Sequence, residues 1–277
     1  MQPERGDPNI EVRPEDVTRA LRSVGVSPGD TVFFHSSLSS MGTVLGGPEA
    51  VIAGFLDAVA PDGTVAVPTL SQRDRDRRFE TWDIRRSPSD VGLITETFRL
   101  RPDAIRSDHP THSVAAIGPR AEELTRDHAR TGGRPSPWGD RAFAPDSPWD
   151  KFYHWNASIL FIGVDFHVNT MMHYIQSLIV ERAVSRLPEG KRTELLAQVQ
   201  GWRKPGVWPH YQDARLEPLR REAGLIADGK IGSATLRRIE ARPMVDHALA
   251  VLEARPQEWF DPAFLQWYQL ALGDRSQ

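Results

Sequence analysis

The sequence predicts an α/β fold, a three-layer α/β/α sandwich around a largely parallel central sheet. Two observations carry this. Between residues 31 and 69 an apolar strand, an amphipathic helix and a second apolar strand follow one another as a βαβ unit, which sets its strands side by side in parallel. Ser158-Ile-Leu-Phe-Ile-Gly-Val164 reads as a further buried strand, and a helical pattern follows it.

Taken in order, residues 1–12 read as a loose N-terminal arm. Residues 14–24 form a helix: Val17, Ala20, Leu21 and Val24 recur on one face, and Gly25 ends it. Ser27-Pro-Gly-Asp30 is a turn, and Thr31-Val-Phe-Phe34 is a strand that runs into His35-Ser-Ser-Leu38. Pro48 opens a helix at its first position, carrying Val51, Ile52, Phe55, Leu56 and Val59 inward. Pro61-Asp-Gly63 then turns the chain into the strand Thr64–Thr69. A helix over 90–100, a strand over 113–118 and a helix over 121–127 follow. Residues 128–150, with two adjacent glycines and four prolines, read as a long loop of the kind that serves as a lid or insertion. A helix begins near Thr170 with Met171, Ile175, Leu178 and Ile179 as its stripe. The segment 185–212 shows no periodicity and reads as an insertion. Helices are expected over 213–226, 233–240, 243–254 and 262–271, and the whole chain, 1–277, reads as a single domain.

Composition narrows the function. Of 277 residues, 34 are Lys or Arg and 37 are Asp or Glu, a formal charge of −3, which argues against a general nucleic-acid binder. No apolar run approaches the roughly 18 residues of a membrane span, and no secretory signal is visible, so the cytoplasm is the expected compartment. There is no cysteine, which excludes disulfides, thiolate metal sites and a cysteine nucleophile. Only Lys151, Lys191, Lys204 and Lys230 are lysines, and the arginines are scattered rather than banded.

Ligands of open parallel sheets gather beyond the carboxyl ends of the strands. That rule selects His35, Ser36 and Ser37 after the first strand, and Thr69 and Ser71 after the second. It also selects Asp165, His167, Asn169, Thr170 and His173 after the strand at 158–164. Thr170, His173 and Gln176 share a helix face. Against each stands the plain alternative of a packed or capping side chain. His109 and His112 lack an obvious third ligand, so no metal is expected. The runs Gly42–Gly47 and Gly132-Gly133 match no phosphate-loop pattern. Arg73, Arg75, Arg77 and Arg78, interleaved with Asp74 and Asp76, read as a solvated loop.

Four segments together resemble a known family. Asp30-Thr-Val-Phe-Phe-His-Ser-Ser-Leu38 with Gly46-Gly47-Pro48 and Gly63-Thr-Val-Ala-Val-Pro-Thr69 resembles the opening of the aminoglycoside 3-N-acetyltransferases. Arg106-Ser-Asp-His-Pro-Thr-His-Ser-Val-Ala-Ala-Ile-Gly118 resembles their middle signature. Ser147-Pro148, Leu160–Val164 and Asn169-Thr-Met-Met-His173 resemble a third block, and Gly229-Lys-Ile-Gly232 fits the tail. The order and spacing agree over residues 14–255.

The resemblance implies an α/β/α fold distinct from the Gcn5-related acetyltransferases. It also implies acetyl-CoA as donor and an amine, such as that of an aminoglycoside, as acceptor, hence antibiotic resistance. By position it places His35, Ser36, Ser37 and Leu38 at the thioester and pantetheine, and His109 and Ser113 along the CoA channel. His173 takes the catalytic position, with His35 and Gln176 expected as the other members of the catalytic group, and Asp83 lies near the acceptor. Glu80 and Asp213, with Asp146 and Asp165, are expected as carboxylates on the rim of a polycation's pocket. One departure matters: the family pattern His-x-x-Glu reads His173-x-x-Gln176 here. A carboxylate both raises an imidazole's basicity and fixes its tautomer, whereas an amide does only the second.

The chemistry expected is direct transfer in a ternary complex. His173 acts as base, and backbone N–H groups of the His35–Leu38 loop meet the oxyanion. Three other functions stay open on the residues. One is a serine hydrolase using Ser36 or Ser37, which lacks the G-x-S-x-G elbow. The others are an N-acyltransferase for another amine metabolite and a non-catalytic acyl-CoA or small-molecule binder of the same fold. A monomer or a homodimer is expected, with no nucleic-acid or membrane partner.

Overall fold

Successive side chains of a strand point to opposite faces, and the central strand uses that to serve two cores. In the computed structural model, which describes residues 3–71 and 74–273, the strand Thr31–Ser36 turns Phe33 to one face and Val32 and Phe34 to the other.

The chain opens with β1 (Glu11–Val12) and α1 (Pro14–Ser23), then β2 (Thr31–Ser36), β3 (Thr43–Val44), α2 (Gly47–Val59) and β4 (Thr64–Pro68). Pro14 fits the first helical position of α1, and the Asp16 carboxylate accepts the Arg13 N–H at 2.9 Å. Next come α3 (Arg78–Thr81), α4 (Leu93–Leu100), β5 (Ile105–Arg106), β6 (Val114–Ile117) and α5 (Ala121–Thr125). Ser147 caps α6 (Pro148–His154), which leads into β7 (Ser158–Ile162) and α7 (Met171–Val184). The remainder is α8 (Glu189–Leu196), α9 (Glu217–Glu222), β8 (Ala227–Ile231), β9 (Ala234–Glu240), α10 (Ala241–Ala254) and α11 (Pro262–Leu272).

Seven strands form one sheet in the order β5-β6-β4-β2-β7-β9-β8. Its centre is parallel, β2 pairing with β4 on one side and β7 on the other. The outer strands β6 and β9 join antiparallel, and β5 and β8 follow them in the same sense. The sheet is therefore mixed, with the expected parallel arrangement confined to its middle. Helices α1, α2 and α4 cover Val32, Phe34, Val65, Val67, Leu160 and Ile162 on one face. Helices α6, α7, α10 and α11 cover Phe33, Ala66, Ile159 and Phe161 on the other.

Four expectations need correction. Residues 233–240 are not helical: Ala234–Glu240 is a strand, because pairing with β7 and β8 places Ala234, Leu236 and Ile239 inward. Of the expected arm 1–12, residues 3–12 are described and are not loose. Glu4 donates its N–H to Gly163 O at 3.0 Å and accepts the Thr235 N–H at 2.8 Å, and Val12 is fully buried beside β3. Within 185–212 lies α8, followed by a turn in which Val199 bridges Val207. The loop 128–150 is packed rather than loose: Ala142, Phe143 and Ala144 are buried, and Arg134 reaches Asp150 at 2.9 Å and Glu181 at 2.8 Å. Arg73 lies outside the described residues.

Candidate active site

Strands β2 and β7 deliver their ends to one side of the sheet, where the loops that follow them meet. Gly163, at φ +63°, ends β7, and the space where a Cβ would stand is filled by the Ser40 side chain. Ser37 donates its N–H to Ile162 O at 2.9 Å, pinning the two loops together.

Beyond these ends lie two cavities that share Ser36, Val91, Thr95, Val164 and Val168 in their walls. The larger, about 650 Å³, is completed by Ser37, Leu38, Ser39, Pro3 and the heads of two helices, Gly47 of α2 and Leu93 of α4. The smaller, about 330 Å³, reaches His35, Pro68, Leu70 and Thr170. Residues Ser36, Ser37 and Leu38, at the end of β2, thus line a cavity. Helix heads carry unpaired N–H groups and a partial positive charge, so this wall suits a phosphorylated ligand.

His35 takes the opposite face from Ser36. Only 7% exposed, it stands edge-on to Phe33 and stacked on Phe161, with ring centroids 5.1 and 5.5 Å away. Thr170, at the head of α7, donates its N–H to His35 Nε2 at 3.5 Å. Burial pulls the His35 pKa down to about 3, so the ring is neutral at ordinary pH.

His173 stands one turn into α7, half-buried, with its Nδ1 2.9 Å from Gln176 Oε1. Gln176 is buried and held at both ends of its amide. Trp208 donates its Nε1–H to Oε1 at 3.0 Å, and Nε2 donates to Pro209 O at 3.0 Å. Trp138 lies 4.3 Å from the His173 ring and His112 5.5 Å. From His112 the row continues to His109 at 6.0 Å and to His128, which stacks on His109 at 4.9 Å. Burial pulls His173 down to about 4, the Gln176 hydrogen bond acting the other way. His128 is likewise pulled to about 4 by burial, and His109 and His112 fall well below their ordinary value, first by burial and then by their histidine neighbours. The four form a wall of neutral imidazoles. Sequence reasoning missed His128, Trp138 and Trp208 as parts of this wall. They come from irregular segments far apart in the chain, and nothing local marks them.

A third cavity, about 490 Å³, is polar. Ser71, Asp74, Arg78, Thr81, Trp82, Asp83, Arg86, Ser87 and Pro88 line it. Asp83 is exposed there, and its Oδ1 accepts the N–H groups of Arg85 and Arg86, both at 2.8 Å. Those backbone donors hold its carboxyl below the usual carboxylate range, so it is ionised at neutral pH. Arg106 stacks on Trp82 at 4.4 Å and donates to the Ile84 and Ser87 carbonyls, which ties this loop to the sheet.

Other expected site residues lie elsewhere. Asp213 is no rim residue: its side chain has 0% exposure and makes a two-pronged ion pair with equally buried Arg220, both bonds 2.8 Å. It also accepts from Asn169 at 2.7 Å, so it braces the loop that starts α7. Glu80 stands outside the polar cavity, its carboxylate 3.5 Å from Arg77 and 3.9 Å from Arg203. His109 and Ser113 are buried and line none of the three cavities. His109 Nδ1 accepts the N–H groups of Thr111 and His112 at 3.3 and 3.2 Å, and Ser113 is hydrogen-bonded to Thr69. Among the described residues no hydrogen bond joins Ser36 or Ser37 to a histidine; Ser37 Oγ meets Ser39 Oγ at 3.2 Å, which disfavours a serine nucleophile. No group of three or more His, Asp or Glu side chains among them is placed to hold a metal. No helix among them is long and apolar enough to cross a membrane.

Small-molecule cavities at the ends of parallel strands, with the His173 imidazole on the helix that follows β7, are the arrangement of an α/β enzyme. The sequence model of the family described as aminoglycoside 3-N-acetyltransferase matches residues 33–253, and the chain belongs to that family. It is 29% identical over 272 residues to aminoglycoside N(3)-acetyltransferase VII of Streptomyces paromomycinus, covering 86% of this chain and 91% of that protein. A neutron and X-ray structure of AAC-VIa with sisomicin bound is 27% identical, with a TM-score of 0.68 over 88% of this chain and 98% of that one. The structure of AAC-IIIb with CoASH, 21% identical, covers 88% of this chain and 97% of that one at a TM-score of 0.69 and shares the fold.

Proposed function

We propose that the chain moves an acetyl group from acetyl-CoA to the 3-amino group of an aminoglycoside's deoxystreptamine ring, with His173 as general base. The observation that carries this is the pair of joined cavities against Ser36, with two helix heads in its wall, on the sheet end from which α7 departs. A phosphorylated arm fits such a wall, and a thioester at the strand end lies next to the start of α7.

The step needs little from the protein beyond placement and proton handling. The amine's lone pair forms the new C–N bond at the thioester carbonyl, whose π electrons move to oxygen. Collapse breaks the C–S bond and releases the CoA sulfur, which gains the proton that His173 Nε2 has taken from nitrogen. Placing a base in this way contributes roughly 10²–10⁴-fold. The Ser37 N–H is already committed to Ile162 O. The donors for the oxyanion are therefore sought one residue on, at the head of the turn Leu38–Ser40, whose first N–H groups have no partner within the turn. Asp83 supplies an ionised carboxylate on the polar cavity for an ammonium group of the acceptor.

A thiol-release screen tests this, with acetyl-, propionyl- and malonyl-CoA offered against aminoglycosides and simple amines. The expected result is free CoA with acetyl-CoA and an aminoglycoside. Turnover confined to a monoamine would reassign the acceptor. Binding of acetyl-CoA with no thiol released from any amine would end the catalytic reading.

A further inference from the structure

We infer that Gln176 is a positioning residue that locks His173 in a single tautomer, with the proton on Nδ1 and the lone pair on Nε2, and that Trp208 and Pro209 hold the amide in the orientation this requires. The inference deepens the reading of His173 as base.

It follows from which atoms can donate. An indole nitrogen only donates and a carbonyl oxygen only accepts. Trp208 Nε1 lies 3.0 Å from one end of the Gln176 amide and Pro209 O lies 3.0 Å from the other. The end facing Trp208 must therefore be oxygen and the end facing Pro209 must be nitrogen, which removes the usual ambiguity of an amide's orientation. His173 Nδ1 stands 2.9 Å from that same oxygen. A lone pair on Nδ1 would face a lone pair on Oε1, so Nδ1 must carry hydrogen. In the neutral ring the other nitrogen, Nε2, is then the single proton acceptor.

The surrounding chain is built to hold this arrangement. Val207 donates its N–H to Gln198 O and accepts from the Gln200 N–H, both at 3.0 Å, closing the turn that presents Trp208. At Gly206 a Cβ would come within 2.5 Å of Gln200 N and 2.6 Å of Gln198 O, so the turn closes only around glycine. Trp208 is 1% exposed and 6.5 Å from Trp138, which in turn packs on His173. The segment 198–209, without periodicity in sequence, thus forms the outer half of the clamp. An amide can accept the Nδ1 proton's hydrogen bond but cannot take the proton or balance the charge of an imidazolium. The other titratable groups near the ring are His112, which is neutral, and His210 and Asp213, which act on it through space.

The test is long-range nitrogen–proton correlation NMR on the whole chain labelled with ¹⁵N-histidine, the His173 signals being assigned by their loss in His173→Ala. The native chain should show a protonated Nδ1 and an unprotonated Nε2 at pH 7. Gln176→Leu and Trp208→Phe should each mix the tautomers and lower kcat severalfold, leaving the KM of acetyl-CoA within about twofold. Gln176→Glu should restore the single tautomer and move the acid limb of the pH–rate profile upward, since a carboxylate stabilises the imidazolium. A native His173 protonated on Nε2 overturns the inference, as does an unchanged tautomer in both Gln176→Leu and Trp208→Phe. If the clamp is seen but His173→Ala turns over normally, the tautomer lock stands and the base assignment falls.

Discussion

The two sides of the sheet end are made of different materials. Beside Ser36 the larger cavity is bounded by backbone, small hydroxyls and aliphatic side chains, with helix heads supplying polarity. On the other face of the same strand, Phe33 packs on Trp149, which leads to a row of imidazoles packed with tryptophans. A surface of backbone and aliphatic groups keeps its properties across pH, because nothing in it titrates. A wall of neutral histidines does not, because each must stay unprotonated in a place where charge is costly. One strand therefore separates a pH-indifferent region from a pH-sensitive one by nothing more than the alternation of side chains at residues 35 and 36.

The largest way to break this contrast lies beneath the imidazole side. Asp213→Ala leaves Arg220 charged and buried without its partner, and should cost about 3–5 kcal/mol of stability in urea unfolding. A loss below about 1 kcal/mol would mean that the pair does not brace α7. Next in size is His173→Ala, which should lower kcat by at least about 10²-fold while the KM of acetyl-CoA moves only a few fold, as His173 lines neither donor cavity. Near-normal turnover would remove the proposed base.

Acid sharpens the contrast further. The folded pKa values of His35 and His128, about 3 and about 4, lie below the ordinary 6.5. Below pH 6.5 the unfolded chain therefore binds protons that the folded chain refuses. Stability is complete above that pH and falls as pH drops toward 4, by up to about 1.4 kcal/mol per pH unit for each such histidine. Urea titrations at pH 7.5, 6.5 and 5.5 should show this slope, reduced in His128→Asn. Equal stability at all three values would contradict it. The smallest effect is expected at the exposed Asp83. Asp83→Asn should raise the acceptor KM severalfold and leave that of acetyl-CoA unchanged. The native acceptor KM should also rise with salt, since rim charges are screened over roughly 8–10 Å. A salt-insensitive KM would point to a less charged amine.

Legibility differed by element for a physical reason. Helices α1, α2 and α7 and strands β2, β4 and β7 were readable because they carry their own periodicity and are punctuated by residues such as Gly25 and Pro48. Strand β9 was not: Leu236 and Ile239 stand three apart, a helical spacing, and only the free edge of β7 makes Ala234–Glu240 a strand. The charged residues misled in the same way. Asp213 and Asp83 look alike in sequence, yet one is buried against Arg220 and the other stands exposed on a cavity wall.

By itself, the sequence determined the α/β class, the family and the cluster His35-Ser36-Ser37 at a strand end, because those depend on local patterns a few residues long. Tertiary structure alone decided that the sheet is mixed, that Asp213 is a strut, and that His173, Gln176 and Trp208 share one oxygen atom. Those facts depend on groups tens of residues apart meeting at hydrogen-bond distance, where the donor and acceptor chemistry of each partner is fixed but its neighbour is chosen by the fold.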